Sequence, residues 1–318
     1  MVQVDLITGF LGAGKTTFLR KYVHWLNARG QRVCILENDF GAVNVDVMLL
    51  QDLLGDNCDI ETISGGCDCD THQRRMRTKL ISLAMQGFDR VLVEPSGIFD
   101  VDEFYDVLRD EPLDRWYTLG NVIAIVDALL ETQLSPQGEY LLASEAASAG
   151  MVLMSRCQLA APGQAEATLA HLNRALEACH CARRFAADTD ALCKPWDALT
   201  DADMQRLDSC GHCQASYVKL YFDEHKAFTS LYFMELHLTL PQLQDAARAL
   251  FADPACGHIL RIKGFLQTVD GWCELNATRD TMHVEAIPDG QEVLIIIGEE
   301  LDRSAIEAHI GQKTADQE

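Results

Sequence analysis

Short apolar runs punctuate the first half of the chain, and longer stretches with helical spacing lie between several of them. Val2–Thr8, Val33–Glu37, Arg90–Val93, Val122–Val126 and Met151–Met154 read as five buried strands, because the runs are brief and rich in branched side chains. Phe18–Ala28, Thr71–Gln86 and Gln137–Ala149 read as helices. This alternation predicts an α/β fold with a mostly parallel sheet covered on both faces. Ligands of such sheets gather beyond the carboxyl ends of the strands. Ala161–Cys181 continues the helical pattern. Phe185–Asp208 is irregular, with Lys194-Pro195-Trp196 and several aspartates, and reads as a domain boundary.

The second half has another rhythm. Val218–Phe222, Ser230–Leu238, His258–Lys263, Phe265–Val269, Trp272–Asn276, Met282–Ile287 and Glu292–Ile297 look strand-like, with helices at Leu240–Phe251 and Asp302–Ile310. A smaller α+β domain with an antiparallel sheet is expected. The predicted division is 1–208 for the first domain with its linker and 209–318 for the second. Alternation through Tyr232–Leu238 places His237 at the surface or core edge rather than among ligands.

The loop after the first strand carries the strongest chemical signal. Gly9-Phe10-Leu11-Gly12-Ala13-Gly14-Lys15-Thr16-Thr17 completes the G-x-x-x-x-G-K-[ST] pattern between a strand and a helix. Gly9, Gly12 and Gly14 let the backbone, with Ala13, wrap phosphates, and Lys15 reaches the outer ones. The Thr16 hydroxyl is placed to ligate magnesium, and the N-terminus of the helix that carries Thr17 adds favourable dipole charge. A nucleoside triphosphate with Mg2+ is the expected ligand. Asp39, Asp46 and Glu94 sit at or after strand ends, where a carboxylate can hold the magnesium ion or orient the attacking water.

Ser64-Gly65-Gly66-Cys67-Asp68-Cys69-Asp70 is the second chemical signal. Cys67 and Cys69 can converge on a soft ion if the glycines bend the loop. Zinc takes four ligands, so Asp39, Asp68, Asp70 and His72 are candidate assistants. Cys179, Cys181, Cys210 and Cys213 are candidates for a second site, with free thiols as the alternative.

Net charge is −22, and no basic patch offers a surface for nucleic acid. No stretch is long and apolar enough to span a membrane. The first residues enter the first strand at once, without a basic start and an apolar signal core, so the expected compartment is the cytoplasm. The 12 cysteines then read as thiols or metal ligands.

These blocks together resemble the CobW/HypB/UreG-like P-loop GTPases, and most closely the CobW-type branch. The likeness rests on Gly9–Thr17, on Asn38–Gly41 with Asp46, on Gly66-Cys67-Asp68-Cys69 and on Glu94-Pro95-Ser96-Gly97. Arg261-Ile262-Lys263-Gly264-Phe265 is similar to the signature of the family's C-terminal domain. The resemblance implies GTP hydrolysis coupled to binding and delivery of a transition metal, Zn2+ or Co2+, to a client metalloprotein or cofactor enzyme. It implies a catalytic set of Lys15, Asp39, Glu94 and Gly97, the last matching the glycine that senses the terminal phosphate. Nucleotide exchange would then alter metal affinity, and the coupling would be reciprocal.

Three departures modify that expectation. Asp70 stands where the family carries a second cysteine, and Ala42 where an acid follows the switch glycine, so the site is less soft. Ser155-Arg156-Cys157-Gln158 replaces the guanine-reading Asn-Lys-x-Asp. Arg156 and Gln158 remain candidate base contacts, and losing the charged acceptor costs roughly 1.5–3 kcal/mol of guanine preference. Adenine nucleotides thus stay open beside GTP. Turnover without a partner is expected to be slow, since no arginine finger is evident near the motif. Two rival roles are an activator that times cofactor insertion into a metallo- or corrinoid enzyme, and a nucleotide-gated metal or redox sensor that barely hydrolyses.

Overall fold

The computed structural model describes residues 1–39, 50–55, 57–64, 69–97, 101–220, 222, 227–234 and 236–311, with the side chains of 38, 39, 64, 69 and 70 excluded. The chain divides into two compact units, Met1–Tyr221 and Phe222–Glu318.

The first unit is a seven-stranded sheet ordered β3-β2-β4-β1-β5-β6-β7. Its strands are β1 (Val2–Thr8), β2 (Val33–Asp39), β3 (Cys58–Ser64), β4 (Arg90–Glu94), β5 (Tyr117–Asp127), β6 (Met151–Ser155) and β7 (Ala191–Cys193). All neighbouring pairs run parallel. β4 and β6 are buried along their whole length, as strands covered on both faces should be. Helices α1 (Lys15–Asn27), α2 (Cys69–Ala84), α3 (Val101–Arg109), α4 (Leu113–Trp116), α5 (Pro136–Ala147), α6 (Gln164–Ala178) and α7 (Asp201–Asp208) connect the strands. α1 buries Phe18, Leu19, Tyr22, Val23 and Leu26, one stripe at helical spacing, against Ile7, Val33, Ile35 and Ile123.

A polar knot lies in this core. Asp5, in mid-β1 and fully buried, accepts from Arg90 Nη1 at 2.9 Å, Tyr22 Oη at 3.1 Å and the Asn121 amide at 2.8 Å. Arg90 also pairs with Asp208, which ties the end of α7 to the sheet. Burial, then the Asp5 charge, pushes the Tyr22 hydroxyl far above the ordinary range, so it stays a donor.

The second unit is a five-stranded antiparallel sheet, order β11-β10-β9-β12-β8. It comprises β8 (Thr229–Met234), β9 (His258–Thr268), β10 (Gly271–Ala277), β11 (Met282–Ile287) and β12 (Val293–Glu299), with α8 (Leu240–Ala252) and α9 (Arg303–Ile310). Both α8 and α9 contribute to its core, through Leu243, Ala247, Leu250, Ile306 and Ile310.

Several expectations need correction. Val218–Phe222 is not a strand among its described residues; the Val218 amide donates instead to the Cys179 carbonyl at 2.8 Å. The segment after Asp208 stays with the first unit: the Gly211 amide donates to Asn121 Oδ1 and His212 bridges Ala149. The stretches His258–Lys263 and Phe265–Val269 form one strand to Thr268. Gly264 continues that strand, paired with Leu275 and Leu294, and a Cβ there would lie 2.4 Å from Leu243 Cδ2, so its absence lets α8 pack closely. The irregular stretch Phe185–Asp208 contains β7 and α7, the latter started by a Thr200–Asp203 capping box. His237, by contrast, is exposed as expected, in a left-handed backbone conformation.

Candidate functional site

β1 delivers its loop at the carboxyl end of the central part of the sheet. Gly9 holds φ at +142°, and a Cβ there would lie 2.3 Å from the Ile125 carbonyl oxygen of β5, so only glycine allows this approach. Gly14 caps α1 in the left-handed region, φ 104°. The loop is closed by the Ala13 amide donating to the Phe10 carbonyl at 3.1 Å. Gly12 and Ala13 are buried, whereas Thr17 is exposed on α1. Lys15, only 8% exposed, folds its ammonium back onto the Gly9 carbonyl at 2.8 Å, across the mouth of the loop.

β4 brings the next residues to the same place. The Thr16 hydroxyl donates to Glu94 Oε1 at 2.8 Å, although the two are 78 positions apart. Gly97 abuts the loop, since a Cβ on it would lie 2.7 Å from the Leu11 amide nitrogen and 3.0 Å from Lys15 Nζ. A hydroxyl and a carboxylate side by side form a hard oxygen donor set, the kind that suits magnesium beside phosphates. Thr16, Glu94, Lys15 and Gly97 are therefore assembled around one cradle.

The far side of the loop holds residues that the motif did not disclose. Glu145, nearly fully buried on α5, accepts from the Gly9 amide at 3.0 Å through Oε2, and its carbonyl accepts from Thr8 Oγ1 at 2.6 Å. The signal for it in the sequence was a lone acid inside the apolar run Leu141–Ala149. Arg156, in a left-handed conformation with φ 54°, pairs with Asp127 at the end of β5 and donates to the Gly12 carbonyl at 3.2 Å. Gln158 is exposed. Trp196 donates from Nε1 to the Met154 carbonyl at 3.0 Å, and its ring would lie 3.0 Å from a Cβ on Gly14. Cys157 and Cys193, at the ends of neighbouring strands β6 and β7, bring their sulfurs within 2.9 Å.

Asp39 ends β2 in register with Ser64, the last residue of β3, and Glu37 of β2 is in register with Glu94. Cys69 and Asp70 begin α2. Ser64, Asp39 and Glu94 therefore end their strands on the same side of the sheet. Asp46, Cys67 and Asp68 lie outside the described residues, as do the side chains of Asp39, Cys69 and Asp70. His72 is buried on α2.

The proposed grouping of Cys179, Cys181, Cys210 and Cys213 is not assembled. Among the described residues, the one group of three or more metal-capable side chains within 4.8 Å of each other is Asp253, Cys256 and His309 of the second unit. Cys210–Cys213 lies at the amino end of β6, where Gly150 permits close approach of the Cys210 carbonyl, while the phosphate loop lies at the carboxyl end of the sheet. In the second unit, His309 Nε2 meets Asp253 Oδ2 at 2.8 Å, a contact that joins α9 to the end of α8. Among the described residues no helix is long and apolar enough to cross a membrane.

Residues 3–185 match the family model "CobW/HypB/UreG, nucleotide-binding domain", and residues 235–313 match "Cobalamin synthesis protein cobW C-terminal domain". The chain is 34% identical to the zinc chaperone YjiA of Escherichia coli over 175 residues, 52% of each chain. It is 29% identical to the zinc chaperone YeiR of the same organism over 170 residues, 52% of this chain and 50% of that one. These matches span about half the length of those curated relatives. A solved structure, Zn(II)-bound YjiA GTPase from E. coli, aligns over 98% of this chain and 99% of that one at 22% identity, with a TM-score of 0.37.

Proposed function

The chain belongs to the CobW/HypB/UreG family, and from that premise we propose that it is a Mg-dependent nucleoside triphosphatase whose cycle governs binding and delivery of a transition metal. The observation that carries this reading is the convergence of Lys15, Thr16, Glu94 and Gly97 on one loop, from two strands neighbouring in the sheet but far apart in sequence. Amides of the loop and the Lys15 ammonium would stabilise charge on the transferred phosphoryl. Releasing Lys15 from the Gly9 carbonyl frees its donors for the outer phosphates. Thr16 and Glu94 would hold magnesium, which supplies charge neutralisation on the phosphates. Glu145 fixes the first amide of the loop and so positions it.

The base site supports a relaxed preference. Arg156 is committed to Asp127 and Gly12, and Gln158 offers a neutral amide where a carboxylate would read guanine. GTP is the expected substrate, with ATP a weaker one. Zinc or cobalt is the proposed cargo, held by Cys67 and Cys69 with Asp39 and Asp70. The register of Asp39 with Ser64, and of Glu37 with Glu94, supports coupling, because β2 lies between the strand that leads into the thiol turn and the strand that ends at the magnesium carboxylate, and brings Asp39 to the same end of the sheet. The recipient is proposed to be a client metalloprotein.

Two measurements test this. Mg-dependent phosphate release from GTP and ATP should vanish in Lys15→Ala. Zinc and cobalt titrations should give different affinities with GTP and with GDP bound. Equal release by parent and Lys15→Ala would refute hydrolysis at this loop, and metal affinities indifferent to nucleotide would refute coupling.

A further inference from the structure

Two thiols with no part in the cradle or the metal turn stand together beside Arg156, in the stretch that replaces the guanine-reading motif. Cys193 ends β7 and is exposed, while Cys157 follows β6 and is half-buried. Their strands are parallel neighbours, with Met154 in register with Cys193, and the sulfurs are 2.9 Å apart. Both loops border the phosphate loop. Arg156, adjacent to Cys157, donates to the Gly12 carbonyl, and Trp196, three positions after Cys193, abuts Gly14.

We propose that Cys157 and Cys193 form a reversible disulfide that weakens nucleotide binding, making the base end of the site sensitive to thiol redox state. The inference rests on the nucleotide-binding reading above. A disulfide needs the sulfurs to close to about 2.05 Å. That closure draws the loop after β6 towards β7. Arg156 sits next to Cys157 in a constrained left-handed conformation, so the movement is transmitted to its contacts with Gly12 and Asp127.

The chemistry balances with a low-molecular-weight disulfide as oxidant. The exposed Cys193 thiolate attacks one sulfur of the small disulfide and displaces a thiolate, leaving a mixed disulfide. The Cys157 thiolate then attacks the Cys193 sulfur and displaces the second small thiolate. The two protein thiols are oxidised, the small disulfide is reduced to two thiols, and the two cysteine protons pass to them. Burial, then the hydrogen bond and charge of Cys193, push the Cys157 thiol up to about 12. Capping Cys193 removes the latter two influences but not the burial, so the exposed Cys193 attacks first and Cys157 acts second, as the resolving thiol.

The full chain, reduced with a phosphine or oxidised with glutathione disulfide, would be compared for binding of a fluorescent GTP analogue. Disulfides in the oxidised sample would be mapped by mass spectrometry of unreduced peptides. Expected are a Cys157–Cys193 cross-link, at least fivefold weaker nucleotide binding after oxidation, and full recovery on reduction. Cys193→Ser should show no difference between the two treatments. Saturating nucleotide should slow cross-linking in the parent. Cross-linking elsewhere, or equal binding by cross-linked and reduced protein, overturns the inference while leaving the nucleotide reading intact. Reduced protein that binds no nucleotide overturns both.

Discussion

Gly97→Ala tests whether the loop after β4 touches the phosphate cradle as closely as its geometry requires. The added Cβ would lie 2.7 Å from the Leu11 amide nitrogen, 2.9 Å from Leu11 Cα and 3.0 Å from Lys15 Nζ. The lysine head can swing aside, but the Leu11 atoms are backbone, so one of the two loops must retreat. Overpacking of this kind costs about 1–3 kcal/mol. If the retreat removes one charge-assisted hydrogen bond from the terminal phosphate, about 1.5–3 kcal/mol of binding is lost. That loss corresponds to a roughly 10- to 150-fold weaker Kd. GDP lacks the terminal phosphate and should weaken much less. Calorimetric titration of parent and variant with Mg-GTP and Mg-GDP reads the difference, and a thermal melt without nucleotide separates it from unfolding. GTP binding within twofold of the parent, with an unaltered melt, would refute the reasoning. Equal weakening of GTP and GDP would refute the assignment of Gly97 to the terminal phosphate.

Arg90→Met leaves Asp5 buried without its cation and should cost about 3–5 kcal/mol in urea unfolding of the first unit, whereas a loss under 1 kcal/mol would show the knot to be dispensable. Asp203 is held at about 2 by hydrogen bonds from Lys194 and then from the Thr200 amide. Its folded value is depressed, so its contribution is complete above the unfolded value of about 4 and is lost as pH falls through about 2. Asp203→Asn should therefore remove on the order of 1 kcal/mol of acid sensitivity between those limits, solvent screening at the half-exposed Lys194 reducing the full effect, and parallel stability–pH curves for parent and variant would contradict this. Changing Cys67 and Cys69 together to serine should weaken zinc binding roughly tenfold or more, the loss that even outer-shell partners cause. Competition against a chromophoric chelator measures it, and unchanged affinity would remove the thiol turn from the metal site.

The phosphate loop was legible because everything that defines it is contiguous. A strand, three glycines and a helix start lie within residues 2–27, and each constraint, a left-handed φ or a capless helix N-terminus, is local. Five of the seven parallel strands were legible for a similar reason, since burial on both faces favours dense apolar runs. β3 escaped because Cys58–Ser64, at the sheet edge, mixes polar and apolar residues, and β7 because three residues carry no periodicity. Val218–Phe222 has the pattern of a strand, but a strand exists only where another offers it hydrogen bonds.

The sequence by itself determined the glycine-rich loop motif and the layered fold, both of which follow from short-range backbone preference and hydrophobic period. Only the tertiary structure decided which distant groups meet. Glu94 reaches Thr16, Glu145 caps Gly9 across 136 positions, and Cys193 stands against Cys157. The physical reason is that parallel strands are joined by crossovers, so residues adjacent at one end of the sheet are separated along the chain by whole helices. No local pattern records which strand ends become neighbours.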